Sequence, residues 1–165
     1  MEEIKKIDTQ LFLYLNSKNN PFFDVIMYWP SDKLFWIPFY LILVIIIIRV
    51  YKKKSSYVLL AIGFLITACD QTASNLIKNT VKRLRPSHEL ALQNLIHLSK
   101  AGTGGQYGFI SSHSANAFGL ATFLILLFPK KYNWLKVILL FWAILVAYSR
   151  IYNGVHYPSD VIVAM

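Results

Sequence analysis

Apolar residues in this chain gather in long runs. Residues 34–50 are almost unbroken apolar sequence, residues 57–77 carry a single acid, Asp70, and two further runs cover 115–128 and 134–147. A helix needs about 20 apolar residues to cross a hydrocarbon layer of about 30 Å. The last two runs reach that length once their flanks, 111–128 and 132–149, are included. Ahead of these runs, Ile4, Ile7, Leu11, Phe12 and Leu15 recur at helical spacing with mostly polar residues between them, until Asn19-Asn20-Pro21 breaks the pattern. Residues 21–29 are largely apolar but too short to cross. Residues 1–30 therefore read as a short N-terminal amphipathic helix with an interfacial or re-entrant turn, and a full first span is the alternative. Residues 86–110 form an outer loop whose second half holds Gly102, Gly104, Gly105 and Gly108. A helix opening at Pro158 reads as the start of another span, cut short at Met165. The pattern predicts an all-α, polytopic membrane helix bundle, a single membrane-embedded domain over 1–165 with about five to six membrane helices, the last truncated.

Composition agrees with that pattern and narrows it. The 165 residues are 56% hydrophobic, with a mean hydropathy of +0.46, well above the soluble norm. A formal charge of +9 fits nucleic acid, anionic lipid or membrane topology, and in a chain this apolar nucleic acid is the weakest of the three. Arg49, Lys52, Lys53 and Lys54 follow the first long run, and Lys130 and Lys131 follow the third. These two loops lie on one side and hold no acid, which marks that side as cytoplasmic. The expected setting is the cytoplasmic (inner) membrane, multi-pass, with the opposite loops facing the periplasm or cell exterior. The single Cys69 lies inside a run, so no disulfide framework is expected.

Three segments share the outer side. They are 78–86, which contains Lys78, Arg85 and Pro86; 110–114, which opens a helix with Ser111, Ser112 and His113; and 149–160, with Arg150, His156 and Asp160. Lys78 and Arg85 are seven apart, so two helical turns bring them to one face about 10 Å apart. Pro158 suits the first position of a helix, so Asp160 falls in its first turn and can reach back to a ring N–H of His156. A histidine and an aspartate beside a helix start are also ordinary capping residues; it is the combination of segments that points to chemistry. Lys78, Arg85 and Arg150 suit the oxygens of a phosphate, and Ser111 and Ser112 sit where helix N–H groups favour an anion. His113 and His156 supply what phosphoryl transfer still needs, one imidazole to attack and one to deliver a proton. A zinc site of His113, His156 and Asp160 is the competing use, disfavoured by three cations that would repel a metal. No metal and no cofactor is therefore expected. Lys82, Arg83 and Lys100 are assigned to lipid head groups, His88 and His97 to solvent, and Trp29, Trp36 and Trp134 to the membrane interface. Asp70 is left outside the site, as a functional group or a bond to a neighbouring helix.

Lys78, six residues, Arg85-Pro86, and then Ser149-Arg150, five residues, His156, three residues, Asp160 resemble the type 2 phosphatidic acid phosphatases. These are the membrane branch of a superfamily that includes soluble bacterial acid phosphatases and vanadium haloperoxidases. Both outer motifs fit without gaps. The middle motif, Pro-Ser-Gly-His in that family, departs: Ile110 stands for proline and Ser112 for glycine, while Ser111 and His113 match. The resemblance implies His156 as a phosphorylated nucleophile, Asp160 as its orienting partner and His113 as general acid. Lys78, Arg85, Ser111, Ser112 and Arg150 become phosphate ligands. It also implies an all-helical core with five or six spans, independence from magnesium, and lipid phosphates as substrates.

The expected activity is hydrolysis of a lipid phosphate monoester or diphosphate at the outer membrane face. Undecaprenyl diphosphate, phosphatidylglycerophosphate, phosphatidate and lipid A phosphates are the candidate substrates, with the prenyl diphosphate ranked first because the chain has no extra domain to grip a large head group. Expected partners are that substrate and membrane lipids, with no nucleic acid. An anion carrier is the alternative class, but it would want its charges near mid-bilayer between broken helices. Haloperoxidase chemistry on bound vanadate is a third.

Overall fold

A computed structural model describes residues 2–32 and 34–165. Among them no strand forms, and the regular structure is helical, with one isolated bridge between Leu84 and Tyr107. Helix α1 (Glu2–Asn16) is followed by α2 (Pro21–Tyr28), whose start obeys simple capping rules. Asn20 accepts the Phe23 N–H at 2.9 Å through its side chain, and Pro21 occupies the first turn. Helix α3 (Ile37–Tyr51) ends at Lys52, whose φ of 48° breaks the helical path, and the chain re-enters helix as α4 (Ser55–Gln71). A π-helical stretch, Thr72–Ile77, carries α4 into the short α5 (Lys78–Val81). Helices α6 (Ser112–Leu127), α7 (Asn133–Tyr152) and α8 (Pro158–Ile162) complete the chain.

The core is built around α6, which packs on α7 and α4. Ala117, Leu120, Ala121 and Leu124 of α6 meet Leu135, Leu139, Trp142, Ala143 and Val146 of α7. Small residues permit close approach: a side-chain carbon on Gly119 would lie 3.0 Å from the Cys69 sulfur of α4. Two helical stretches, Leu34–Val81 and Lys130–Tyr152, are long and apolar enough to cross a membrane, and Ser112–Leu127 is a shorter apolar helix.

The outward surface is apolar and much of the interior is polar. Phe64, Val137 and Phe141 are each at least two-thirds exposed, whereas Asp8, Asn16, Arg85, Arg150, Asn153, His156 and Asp160 are buried. That inversion suits a lipid surrounding. It also adds detail to the amphipathic reading of α1. There, Ile4, Ile7 and Leu11 face outward, while the stripe Asp8, Phe12 and Asn16, spaced four apart, is the buried one.

Two expectations change. The helix carrying Lys78 stops at Val81, because Lys82 takes a left-handed conformation (φ 50°). Arg85 therefore belongs to an extended segment rather than to the same helical face as Lys78. Trp36 is an internal packing residue as well as an aromatic near the surface: its ring lies 5.8 Å from that of Trp142, and its Nε1 donates to the Pro30 carbonyl at 3.1 Å. Trp29 and Trp134 remain substantially exposed.

Candidate active site

The turn between α7 and α8 folds back on the end of α7. The Arg150 carbonyl accepts the N–H groups of both Val155 and His156, at 3.2 and 3.3 Å. Gly154 makes this possible with a φ of 78°, and an added Cβ there would lie 2.7 Å from the His97 carbonyl oxygen. Pro158 then starts α8, which places Asp160 in its first turn. The Asp160 Oδ2 accepts the Tyr157 N–H at 3.0 Å and faces His156 Nδ1 at 3.4 Å. The carboxylate thus reaches back as the spacing predicts. With Nδ1–H directed at Asp160, the lone pair of His156 belongs to Nε2. Both side chains are essentially inaccessible, and the Asp160 carbonyl also accepts the Ser111 N–H at 2.9 Å, tying the second and third segments together.

Around this imidazole stand the predicted cations. Burial first, and then the charges of Arg85, Arg150, Lys78 and His113, hold the His156 imidazole well below its usual range, so it is neutral at pH 7. Arg85 and Arg150 are both buried. Arg85 Nε donates to the Tyr107 carbonyl at 3.1 Å, but its Nη1 and the Nε of Arg150 are buried without a protein partner. Burial pulls the Arg85 guanidinium below its ordinary pKa, and Asp160 offsets part of that pull. Buried donors left unpaired are costly, and an anion that accepts from both would relieve the cost. Lys78 approaches from α5, and its ammonium donates to the Ser112 hydroxyl at 3.1 Å. The hydroxyl that distinguishes this chain from the glycine of the resembled motif therefore positions one of the cations.

Ser111 is the N-cap of α6. Its hydroxyl oxygen accepts from the Ser114 N–H at 3.4 Å and the Ser114 hydroxyl at 3.0 Å, and its side chain is buried. Ser112 and His113 begin the helix, at its positive dipole end. The glycine-rich half of the outer loop closes over Arg85: Cβ atoms on Gly104 and Gly108 would come within 2.5 and 3.1 Å of its side chain. All eight sequence-predicted residues converge on this region. The zinc arrangement does not form, since no three His, Cys, Asp or Glu side chains among the described residues group around a metal-sized space.

Several supporting residues escaped sequence reading. Asn16 of α1 donates to the Tyr152 carbonyl at 2.8 Å and the His97 carbonyl at 3.0 Å, and accepts the His97 N–H at 2.7 Å. Asn153 donates to the Met27 carbonyl at 2.9 Å and the Ser31 hydroxyl at 2.7 Å. Together they clamp the turn that carries His156. His97, expected in solvent, instead meets Asp24 through Nε2 at 2.8 Å. Arg83, assigned to lipid head groups, is instead ion-paired with Asp8 and Asp160. Asp8 and Asn16, eight residues apart on a helix with an apolar outer face, were the available signal.

A cavity of about 600 Å³ opens beside His113 and Ser112 and runs along α6 past Asn116 and Leu120 to Leu124, between α3, α4 and α7. Its walls are mainly apolar, while Asp70 lines it and accepts from Asn116 at 3.5 Å.

The sequence profile of the PAP2 superfamily matches residues 55–165. The chain is 39% identical over 164 residues to a lipid A 4'-phosphatase of Bacteroides thetaiotaomicron, covering 98% of this chain and 72% of that protein. It is 34% identical over 168 residues to a lipid A 4'-phosphatase of Porphyromonas gingivalis, covering 98% and 68%. Among solved structures it is similar to Aquifex aeolicus LpxE, with a TM-score of 0.67 and 28% identity over 94% of this chain and 86% of the other. It also shares the fold of the PAP2-type phosphatidylglycerolphosphate phosphatase of Bacillus subtilis, with a TM-score of 0.72 and 22% identity over 99% and 80%.

Proposed function

This chain belongs to the PAP2 superfamily and is a lipid phosphatase, and from that premise we propose that it removes a phosphate from a lipid A-type glycolipid through a phosphohistidine intermediate, without a metal. Two relatives named lipid A 4'-phosphatase, each aligned over 98% of the chain, move this substrate class ahead of the prenyl diphosphate favoured by chain length. The observation that carries the mechanism is a neutral, buried His156 near two buried guanidinium groups, each with one nitrogen, Arg85 Nη1 and Arg150 Nε, that lacks a protein partner. The Nε2 lone pair of His156 attacks phosphorus while the lipid oxygen leaves with the P–O bonding pair and takes a proton from His113. Water then breaks the P–N bond, giving a proton back to His113, and inorganic phosphate departs. Arg85, Arg150, Lys78 and the Ser112 N–H at the start of α6 stabilise charge on the equatorial oxygens, Ser111 caps that helix with its own N–H held by the Asp160 carbonyl, and Asp160 holds the His156 tautomer.

Four apolar helical rods, α3, α4 with α5, α6 and α7, form the membrane-crossing core in this reading, with α1 and α2 at the interface. The basic loops around Lys52–Lys54 and Lys130–Tyr132 lie in the cytoplasm, so the site faces the periplasm or exterior of the inner membrane. The cavity along α6 receives a hydrocarbon chain of the substrate while its phosphate lies at the His113 end. From Ser112 to Leu124 the helical rise is about 18 Å.

A panel of lipid A, phosphatidylglycerophosphate, phosphatidate and undecaprenyl diphosphate, assayed in detergent with EDTA, tests the proposal. Wild type should release phosphate fastest from lipid A and form an acid-labile, base-stable phosphoenzyme, and His156→Asn should do neither. Activity surviving in His156→Asn removes the nucleophile assignment, and loss of wild-type activity in EDTA removes the metal-free mechanism.

A further inference from the structure

A chain of ionic contacts runs from the N-terminal helix to the imidazole. Arg83 Nη2 donates to Asp8 Oδ2 at 2.6 Å, while its Nη1 donates to Asp160 Oδ1 at 3.0 Å and to the Ser159 hydroxyl at 2.7 Å. Asp8 also accepts the Ser159 N–H at 2.9 Å and the Ser159 hydroxyl. The guanidinium carbon of Arg83 sits 3.9 Å from the Tyr157 ring centroid, and Phe12 of α1 packs edge-on against the same ring. Both oxygens of Asp160 are thereby engaged: Oδ1 by Arg83, Oδ2 by the Tyr157 N–H and His156 Nδ1.

We propose that Asp8 and Arg83 are positioning residues for the hydrolytic reaction: α1, which lies outside the matched residues 55–165, anchors Arg83, and Arg83 fixes the rotation of the Asp160 carboxylate against His156. The inference rests on the reading of His156 as nucleophile. The side chains of Asp8 and Arg83 contact each other, Ser159, Asp160 and Tyr157, so their effect falls on the orientation of the imidazole rather than on phosphate binding. A planar fork is needed, because one cation must meet two carboxylates at once, Asp160 through Nη1 and Asp8 through Nη2. A lysine at position 83 can satisfy one of them.

Steady-state kinetics on lipid A, with the rate of phosphoenzyme formation, test this. Asp8→Asn and Arg83→Gln should each lower kcat by about 10- to 100-fold and slow phosphoenzyme formation in proportion, with KM within about twofold of wild type. Arg83→Lys should fall between Arg83→Gln and wild type. Lys82→Gln, at an exposed neighbouring position, serves as the charge-loss control and should keep wild-type kcat. Gel filtration in detergent and vanadate-dependent thermal stabilisation establish that each variant is folded with its anion pocket intact. If Asp8→Asn does not fold, Asp8→Glu and Arg83→Lys decide: reduced kcat supports the inference and wild-type kcat overturns it. Folded Asp8→Asn and Arg83→Gln with wild-type kcat, or with raised KM alone, overturn it as well. An active His156→Asn would instead sink the nucleophile reading, whereas an inactive His156→Asn beside a fully active Asp8→Asn removes only the role of α1.

Discussion

Replacing Arg150 with methionine should make the anion-free protein more stable and useless as a catalyst. Arg150 is 7% exposed, its Nε has no protein partner, and Arg85 and Lys78 crowd it with like charge. Methionine keeps much of the apolar stem without the charge. Apolar replacement of buried ionic groups gains about 1–4 kcal/mol, and a cation that lacks a counter-ion falls on the favourable side of that range. Taking about 1–2 kcal/mol, and about 2–4 °C per kcal/mol for a chain of this length, the unfolding midpoint should rise by about 2–8 °C. Wild type should respond to orthovanadate, a phosphate mimic, by about 2.7 kcal/mol at a hundredfold excess over Kd, and the variant should lose most of that response. Loss of one preorganised donor should lower kcat by about 10²–10³. Thermal unfolding in detergent, followed by tryptophan fluorescence with and without vanadate, reads both effects. A lower midpoint for Arg150→Met without anion, or an unchanged vanadate shift, would refute the idea that the pocket stores unrelieved positive charge.

Acid should destabilise the protein through His156. Its folded pKa is lowered below the ordinary 6.5, so the unfolded state binds more protons, and stability present above about 6.5 is lost as pH falls toward the folded value. The unfolding free energy should drop by up to about 1.4 kcal/mol per pH unit in that window from this group alone, a component that His156→Asn lacks; equal slopes for the two proteins would count against it. Gly154→Ala should cost about 2–4 kcal/mol, through its left-handed backbone and the 2.7 Å approach to the His97 carbonyl, and be visible as a lower unfolding midpoint.

The motif residues were legible because each trio is fixed by local chemistry. Pro158 begins a helix, Asp160 falls in its first turn, and His156 lies just outside it, so spacing alone predicts their contact. The four-residue interval and the 3.4 Å separation agree for that reason. Lys78 and Arg85 came from the same kind of reading but met by another route, since Lys82 ends the helix and the backbone supplies the turn that continuous periodicity would have forbidden. What spacing could not carry was direction. The apolar spacing of α1 predicts an interfacial helix but not what its other side meets, and there Asp8 finds Arg83 75 positions along the chain. Asn16 and Asn153 were invisible for a related reason: they satisfy backbone groups of distant turns, and nothing near them in the chain announces those partners.

The π-helical stretch Thr72–Ile77 sits directly before Lys78. One additional residue in a helical turn rotates everything beyond it by about 100°. The azimuth of the lysine is therefore set apart from that of the rest of its rod, and the exposed apolar side of α4 can drift in composition without swinging the ammonium away from Ser112. Excising a single residue between 72 and 77 would re-phase the rod and turn Lys78 away from Ser112, so splices between related chains should join outside this stretch.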